Sequence, residues 1–544
     1  MIAMSITCAC ASTAYAEINE RPGPDATYDD KVVLDSEWQI YNNEYAGAEK
    51  RKYTFNKGLT VSPNDSSTGN AIYLSGNVDV DFELGNGSEM NLESSSGALN
   101  VNPNSKLTIN GVNSNLYFGN KNWNEYNEAA TIYMDKGSKL EINAGNLTTS
   151  GGAETNLKLF DNAQATINLT GDFTSDAGGT AIAMENDYRN SDTSLSIQAA
   201  NITLGTTDLE TADRMAGLYL LAYREDGDNK LSVDLSAKDT LKISGFAKGI
   251  QTFGNALINL RGKTIIISAE SDSQGKGLSL NSYDAAKPSI LKAEAENLSI
   301  KGSEYAIYAN DRVDAQLNAT GDINISGLNY AVYANKNTDI QLKTGQNLNI
   351  LSDTWGIVSF DSTVNAQAEK AINIRGKVWT SGGHITVGKD SSTLQTVING
   401  NLTAKNNGYI AAFVNNAGSS FTGNTTDAHW QDVNTRDAGN KGINLTLNDG
   451  SVWNDFDYDS TIQVLDTSKA KVDMQDDKFK RLSIGTLKGD KSTFNMDIDA
   501  GINTNNSDRL YIAGTHTGNH YITLNNVNSE GKIDGAAGTV LVSV

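Results

Sequence analysis

The sequence predicts an all-β protein: a right-handed parallel β-helix, three strands per coil, ending in a C-terminal β cap. Three observations predict it: a phrase that recurs every ~25 residues, period-two alternation within each copy, and turn-forming residues at the joints. Residues 305–311 read YAIYAND and residues 330–336 read YAVYANK. Alignment of the copies places Tyr305, Tyr330 and Trp355 at one position, Ile307, Val332 and Ile357 at another, and Leu317 and Leu342 at a third. A fourth position, the expected core stack, holds Ile300, Ile325, Ile350 and Ile374, which keep a near-constant interval. Less regular copies extend backward through Gly277-Leu278, Gly249-Ile250 and Gly217-Leu218.

Each copy contains three short alternating runs, and Asn, Gly, Asp, Thr and Ser fill the joints, where tight turns need them. A single such coil cannot bury its inward side chains. Coils stacked ~4.8 Å apart complete one another's hydrogen bonds and share a continuous core. Tyr305, Tyr330 and Trp355 should then stack, and Asn310 and Asn335 should form an amide ladder. Residues 50–420 would supply on the order of fifteen coils, roughly 70 Å of rod.

Taken in order, the chain opens with MIAMSITCACASTAYA (residues 1–16), an uncharged stretch closing on Ala14-Tyr15-Ala16. It reads as the apolar region and A-x-A site of a secretory signal peptide; an apolar N-terminal strand is the other reading. A basic leader is missing, so the true start is expected upstream. Both cysteines, Cys8 and Cys10, lie there, so cleavage after Ala16 would leave no thiol. Residues 17–50 are expected to be an N-terminal cap or linker and 51–440 the rod. Its first third uses a looser unit, a polar turn followed by a strand: GSEMNLE (87–93), NSKLTING (104–111), GSKLEINAG (137–145) and NAQATINLTG (162–171). Stretches near 120–128, 223–230 and 281–289 interrupt the pattern and read as projecting loops. From 441 to 544 the strands lengthen, and Asn448-Asp449-Gly450 and Asn505-Asn506-Ser507-Asp508 look like hairpin turns.

Composition excludes some functions. The 544 residues carry a net charge of −22 without a basic block, so phosphate backbones are repelled and nucleic acid is not an expected partner. After residue 16 no apolar run approaches the ~18 residues of a membrane-spanning helix.

Two C-terminal strings resemble a known family. Leu445-Thr446-Leu447-Asn448-Asp449-Gly450-Ser451-Val452-Trp453 resembles the L-x-L-x-x-G-S-x-W stretch of autotransporter passenger domains. Ser507, Asp508, Leu510, Ile512 and Gly514 match the S-D-x-L-x-I-x-G signature of their autochaperone segment, of pertactin-like type. The resemblance implies type V secretion, outer-membrane cell-surface localisation in a Gram-negative bacterium, and adhesin-like binding to a host or bacterial surface protein or glycan, or self-association. It also implies a C-terminal translocator barrel, the one expected route to a membrane. This sequence ends at TVLVSV (539–544), so a fragment or truncated product is expected.

Chemistry is sparse. The G-D-S-G and G-D-S-L strings of protease and lipase passengers do not occur. Of four histidines, His516 and His520 read as exposed polar residues, His384 as a coil-corner residue, and His429, beside Trp430, as a loop residue that could touch a ligand. No metal set with the needed convergence is evident, and no cofactor is expected. Asn337-Thr338-Asp339 matches one string of β-helical pectin-degrading enzymes, but the paired carboxylates and G-H-G are missing, so it reads as a polar turn. Glu225-Asp226-Gly227-Asp228-Asn229 lacks the spacing of a calcium loop. The expectation is therefore a binding protein and not an enzyme, with Trp123, Tyr126, Tyr223 and Tyr283 on projecting loops as contact residues. A polysaccharide-cleaving enzyme and a structural surface or biofilm protein are the alternatives.

Overall fold

In the computed structural model the described residues are 26–41, 50–63, 69–121, 130–151, 155–187, 191–206, 216–222, 229–270, 274–282, 287–432, 441–454, 457–476, 478–499, 506–527 and 541–544. They form no helix, and strand after strand pairs in parallel with the strand one coil away. This is a parallel β-helix; strand twist in L-residue chains sets its right hand. The chain divides into two compact units, residues 1–207 and 208–544.

In the first unit, parallel pairing begins at Ala26, which faces Tyr53, so the segment before residue 50 already belongs to the ladder. Trp38, Tyr53, Phe55 and Phe82 fill this end with rings 5.2–6.1 Å apart. Tyr53 and Phe82 head a core column that continues through Ile109, Ile142, Ile167 and Ile197. Three of the turn-and-strand phrases, at 104–111, 137–145 and 162–171, share that sheet. The fourth does not: Glu89–Ser94 pairs with Asn115–Asn120 on a neighbouring sheet. On the outer side, Asn143 donates to Asn110 at 2.9 Å and Asn168 to Asn143 at 3.0 Å, an amide ladder that the sequence reading missed.

In the second unit the expected core stack is present. Ile300, Ile325, Ile350 and Ile374 face one another in register and are fully buried. Burying each contributes about 1.5–3 kcal/mol. The column is longer than the repeat suggested. It starts at Ile243 and Ile267 and continues through Ile398, Phe421, Trp453, Val472 and Phe494; Ile522, next in register, is exposed. A second sheet stacks Tyr305–Asn310 on Tyr330–Asn335, and a third stacks Val313–Ala319 on Asp339–Thr344.

The corners explain the polar joints. Asp311, Arg312, Lys336 and Asn337 adopt left-handed backbone, with φ of 54–65°. They hold it because Asp311 N–H donates to Asn335 O at 3.1 Å and Arg312 N–H to Lys336 O at 2.9 Å, one coil away. Glycine is required where Gly302 and Gly327 precede Tyr305 and Tyr330. A Cβ there would lie 1.7 and 1.9 Å from the tyrosine carbonyl oxygens.

The hairpin expected at Asn448-Asp449-Gly450 is not formed, whereas at the second turn string Ile498 and Ser507 pair antiparallel and Asp499 N–H donates to Asn506 O at 2.9 Å. Asp449 and Gly450 have φ of 50° and 89°, and their N–H groups donate to Ser468 and Lys469 of the next coil. The flanking strands Gly442–Asn448 and Val452–Asn454 pair in parallel with Ser460–Ser468 and Lys471–Asp473, not with each other. A left-handed Asn-Asp-Gly corner serves a coil as well as a hairpin, and the stacked neighbours decide which forms. Residues 500–505 lie outside the described residues.

Candidate functional site: an aromatic face and the C-terminal coils

The outward side of one sheet in the second unit carries a row of rings. Lys276, Tyr305, Tyr330, Trp355 and Lys377 occupy one column in register. Tyr305 and Tyr330 stack at 4.6 Å with 6° between their planes, and Trp355 follows at 6.3 Å, also at 6°. This is the stack that the repeat predicted. Beside it stands a second column that the sequence reading did not single out. Tyr308 and Tyr333 stack at 5.2 Å, and Phe360 and Trp379 extend the row at 5.9 and 4.4 Å. The two columns meet edge to face, as Tyr305 and Tyr308 do at 76°. The Y-x-x-Y spacing in both repeats was the available signal: two consecutive buried residues, Ala306-Ile307 and Ala331-Val332, break the strand alternation and leave i and i+3 on the same side.

Lysines close both ends. Lys276 Nζ sits 4.3 Å from the Tyr308 ring centre and Lys377 Nζ 5.1 Å from that of Trp355. Among the described residues neither lysine has an ion-pair partner. Burial pushes the Tyr305 and Tyr333 hydroxyls above the usual phenol range, so both remain neutral hydrogen-bond donors. The expected Asn ladder borders the rings: Asn335 donates to Asn310 at 2.8 Å. The half-buried rings, amides and two cations offer apolar contact and hydrogen bonding together, the combination found at binding surfaces.

The expected contact residues Trp123, Tyr126, Tyr223 and Tyr283 lie outside the described residues, as do residues 1–25 and residues 225–228 of the acidic stretch. His384 is an exposed residue at the start of a strand, its ring 5.7 Å from Tyr409. His516 is exposed, and His520 packs against Phe494 at 5.9 Å. Asn337-Thr338-Asp339 is a coil corner: Asn337 supplies left-handed backbone, Thr338 donates to Asn335 O, and Asp339 accepts from Gln341 at 2.5 Å. Among the described residues no three His, Cys, Asp or Glu side chains converge on a point.

The C-terminal strings have definite structural jobs. Trp453 is a fully buried member of the core column, and its indole N–H donates to Gly423 O at 3.0 Å. Asp508 is fully buried, and its two oxygens accept from Lys480 N–H at 2.8 Å and Asp497 N–H at 2.7 Å. It thus ties the Arg509–Ile512 strand to the preceding coil. Desolvation pushes its carboxyl up to about 6, the backbone donors opposing this only partially. Ser507 is buried beside it, and Leu510 and Ile512 stack on Leu482 and Ile484. Gly514 forms a bend after that strand. Asp427 does the same for an earlier coil. It accepts from the N–H groups of His429, Ile443 and Gln463 at 2.6–2.8 Å, and burial raises its carboxyl.

These C-terminal coils are also where a family profile matches the chain. The sequence profile of the Pertactin family matches residues 443–543. Among solved structures, that of the Haemophilus influenzae Hap adhesin aligns at 15% identity over 91% of this chain and 60% of its own. Its TM-score is 0.26, too low for the two to superpose as wholes, and the chain spans about three fifths of that structure's length. No curated protein sequence matches.

Proposed function

We propose that this pertactin-like autotransporter passenger works at the cell surface as an adhesin-like binding protein, without catalysis, and that the aromatic face is where it meets its partner. The carrying observation is the face itself: two columns of half-buried rings, held in register by the coils and closed by Lys276 and Lys377. Rings ordered in the free protein lose little conformational freedom on binding, so contact area there converts into affinity efficiently. Repetition adds several weak contacts on one rigid support. The partner is a surface protein or glycan of a host or neighbouring cell, or a second copy of the chain. Export to the surface of a Gram-negative cell belongs to the same proposal.

The test is adhesion of the purified chain to host epithelial cells and to bacterial cells. The double variant Tyr308→Ala, Trp379→Ala should lose at least roughly tenfold in half-saturating concentration, about 1.4 kcal/mol. Wild-type adhesion by a double variant with an intact parallel-β circular dichroism spectrum would remove the face from the mechanism. Release of reducing ends from a glycan panel would overturn the claim that the chain is not catalytic.

A further inference from the structure

We infer that the C-terminal coils carry a second, distinct site, for an anionic saccharide: a pyranose unit bearing a carboxylate or a sulfate. A cavity of 460 Å³ opens there, within the range of small-ligand sites. Arg481, Arg509, Trp430, Tyr511, Ser483 and Ser543 contribute to its lining.

Arg481 and Arg509 face each other in register on adjacent parallel strands, and both contribute to the lining of the one cavity. Like charges gathered at one cavity repel, and an anion between them relieves that repulsion. Arg481 has a partial answer in Asp459 at 3.6 Å, whereas Arg509 has no carboxylate partner among the described residues. In a chain of net charge −22, such a pair stands against the general field and selects for anions locally. The guanidinium fork matches the flat or tripodal oxygens of carboxylate and sulfate.

The aromatic wall is fixed in advance. Trp430 stands edge-to-face on Tyr511, centroids 5.7 Å apart at 81°. The loop bearing Trp430 is anchored by its neighbours. Buried Asp427 accepts from His429 N–H at 2.8 Å, and His429 Nε2 accepts from Asn407 N–H at 3.0 Å. That leaves the proton on Nδ1, which donates to Asp432 at 2.8 Å and engages the nearest loop carboxylate. A ring against the apolar face of a sugar, hydroxyls from Ser483 and Ser543 for its own hydroxyls, and paired arginines for its charge together describe an acidic saccharide better than a bare ion or a neutral sugar. The site uses strands other than those of the aromatic face, so either stands if the other fails.

The full chain is titrated calorimetrically with a uronate disaccharide, a sulfated disaccharide, an uncharged disaccharide and inorganic sulfate. At least one acidic disaccharide should bind at a single site, more weakly as salt is raised, and which one binds identifies the anionic group. Arg509→Ala and Trp430→Ala should each weaken binding roughly tenfold or more. Arg481→Gln is the second charge variant should Arg509→Ala melt differently from wild type. Four results overturn the inference: no saturable binding, equal binding of the uncharged disaccharide, inorganic sulfate binding as tightly as the sugar, or affinities unchanged in both arginine variants.

Discussion

The core column keeps a near-constant interval through Ile300, Ile325, Ile350 and Ile374, and the buried residues of that stretch include no charged side chain. The same column then passes through Phe421, Trp453, Val472 and Phe494 at uneven intervals, while Asp427, Lys480, Asp497 and Asp508 are buried beside it. The pairing is parallel in both regions. What differs is how register is fixed. In the regular coils each residue finds its like one coil away, and apolar columns with Asn and tyrosine ladders suffice. In the C-terminal coils unlike residues stack, and buried carboxylates that collect backbone N–H groups from neighbouring coils set the alignment. Buried polar groups cost stability and repay it in specificity only when fully bonded. The regular region should therefore be sensitive to lost apolar burial, and the C-terminal region to lost carboxylates.

The largest expected effect is that of Ile325→Asp, which puts an unpaired carboxylate into the isoleucine column at a cost of at least ~4 kcal/mol. Denaturant melts should show a large fall in midpoint; an unchanged midpoint would mean that Ile325 faces solvent. Asp427→Ala comes next. It orphans the N–H groups of His429, Ile443 and Gln463, and about 3 kcal/mol should be lost. If Ile325→Asp and Asp427→Ala lowered the midpoint through the same partial unfolding step, the contrast between the two regions would break.

Stability at Asp508 depends on pH. The Asp508 carboxyl titrates near 6 when folded, against about 3.9 in an unfolded chain. The folded form holds the proton more tightly. This contribution is fully present below the unfolded value and is lost as pH rises through about 6, a change of roughly 3 kcal/mol. Acidification from pH 7 to 5 should thus raise the wild-type melting midpoint more than that of Asp508→Asn. The variant also cancels the background from the net charge of −22. Parallel pH profiles would refute the role. The smallest effect belongs to the regular coils: Asn335→Ala should cost about 1 kcal/mol by opening the amide bond to Asn310, read as a small shift in midpoint.

The fold class, the isoleucine column from 300 to 374, the tyrosine stack and the Asn310–Asn335 bond were legible in the sequence, because a close repeat places like over like. The Tyr308–Tyr333–Phe360–Trp379 row was half legible: its tyrosines repeat, but Phe360 and Trp379 come from positions that the spacing does not align. The arginine pair and Trp430 were not legible as a site, although Trp430 was noted beside His429. Residues 430, 481, 509 and 511 belong to coils of unequal length, and only stacking brings them to one cavity.

The sequence by itself determined that the chain winds in stacked parallel coils, since alternating runs at a fixed interval have no other way to bury their apolar face. Only the tertiary structure decided where the interval slips. Corners such as Asp449-Gly450 accept left-handed backbone in a hairpin or a coil alike, and loops of different length leave the core column unbroken while erasing its period from the sequence. Inter-coil hydrogen bonding, a long-range term, makes that choice, and local sequence does not encode it.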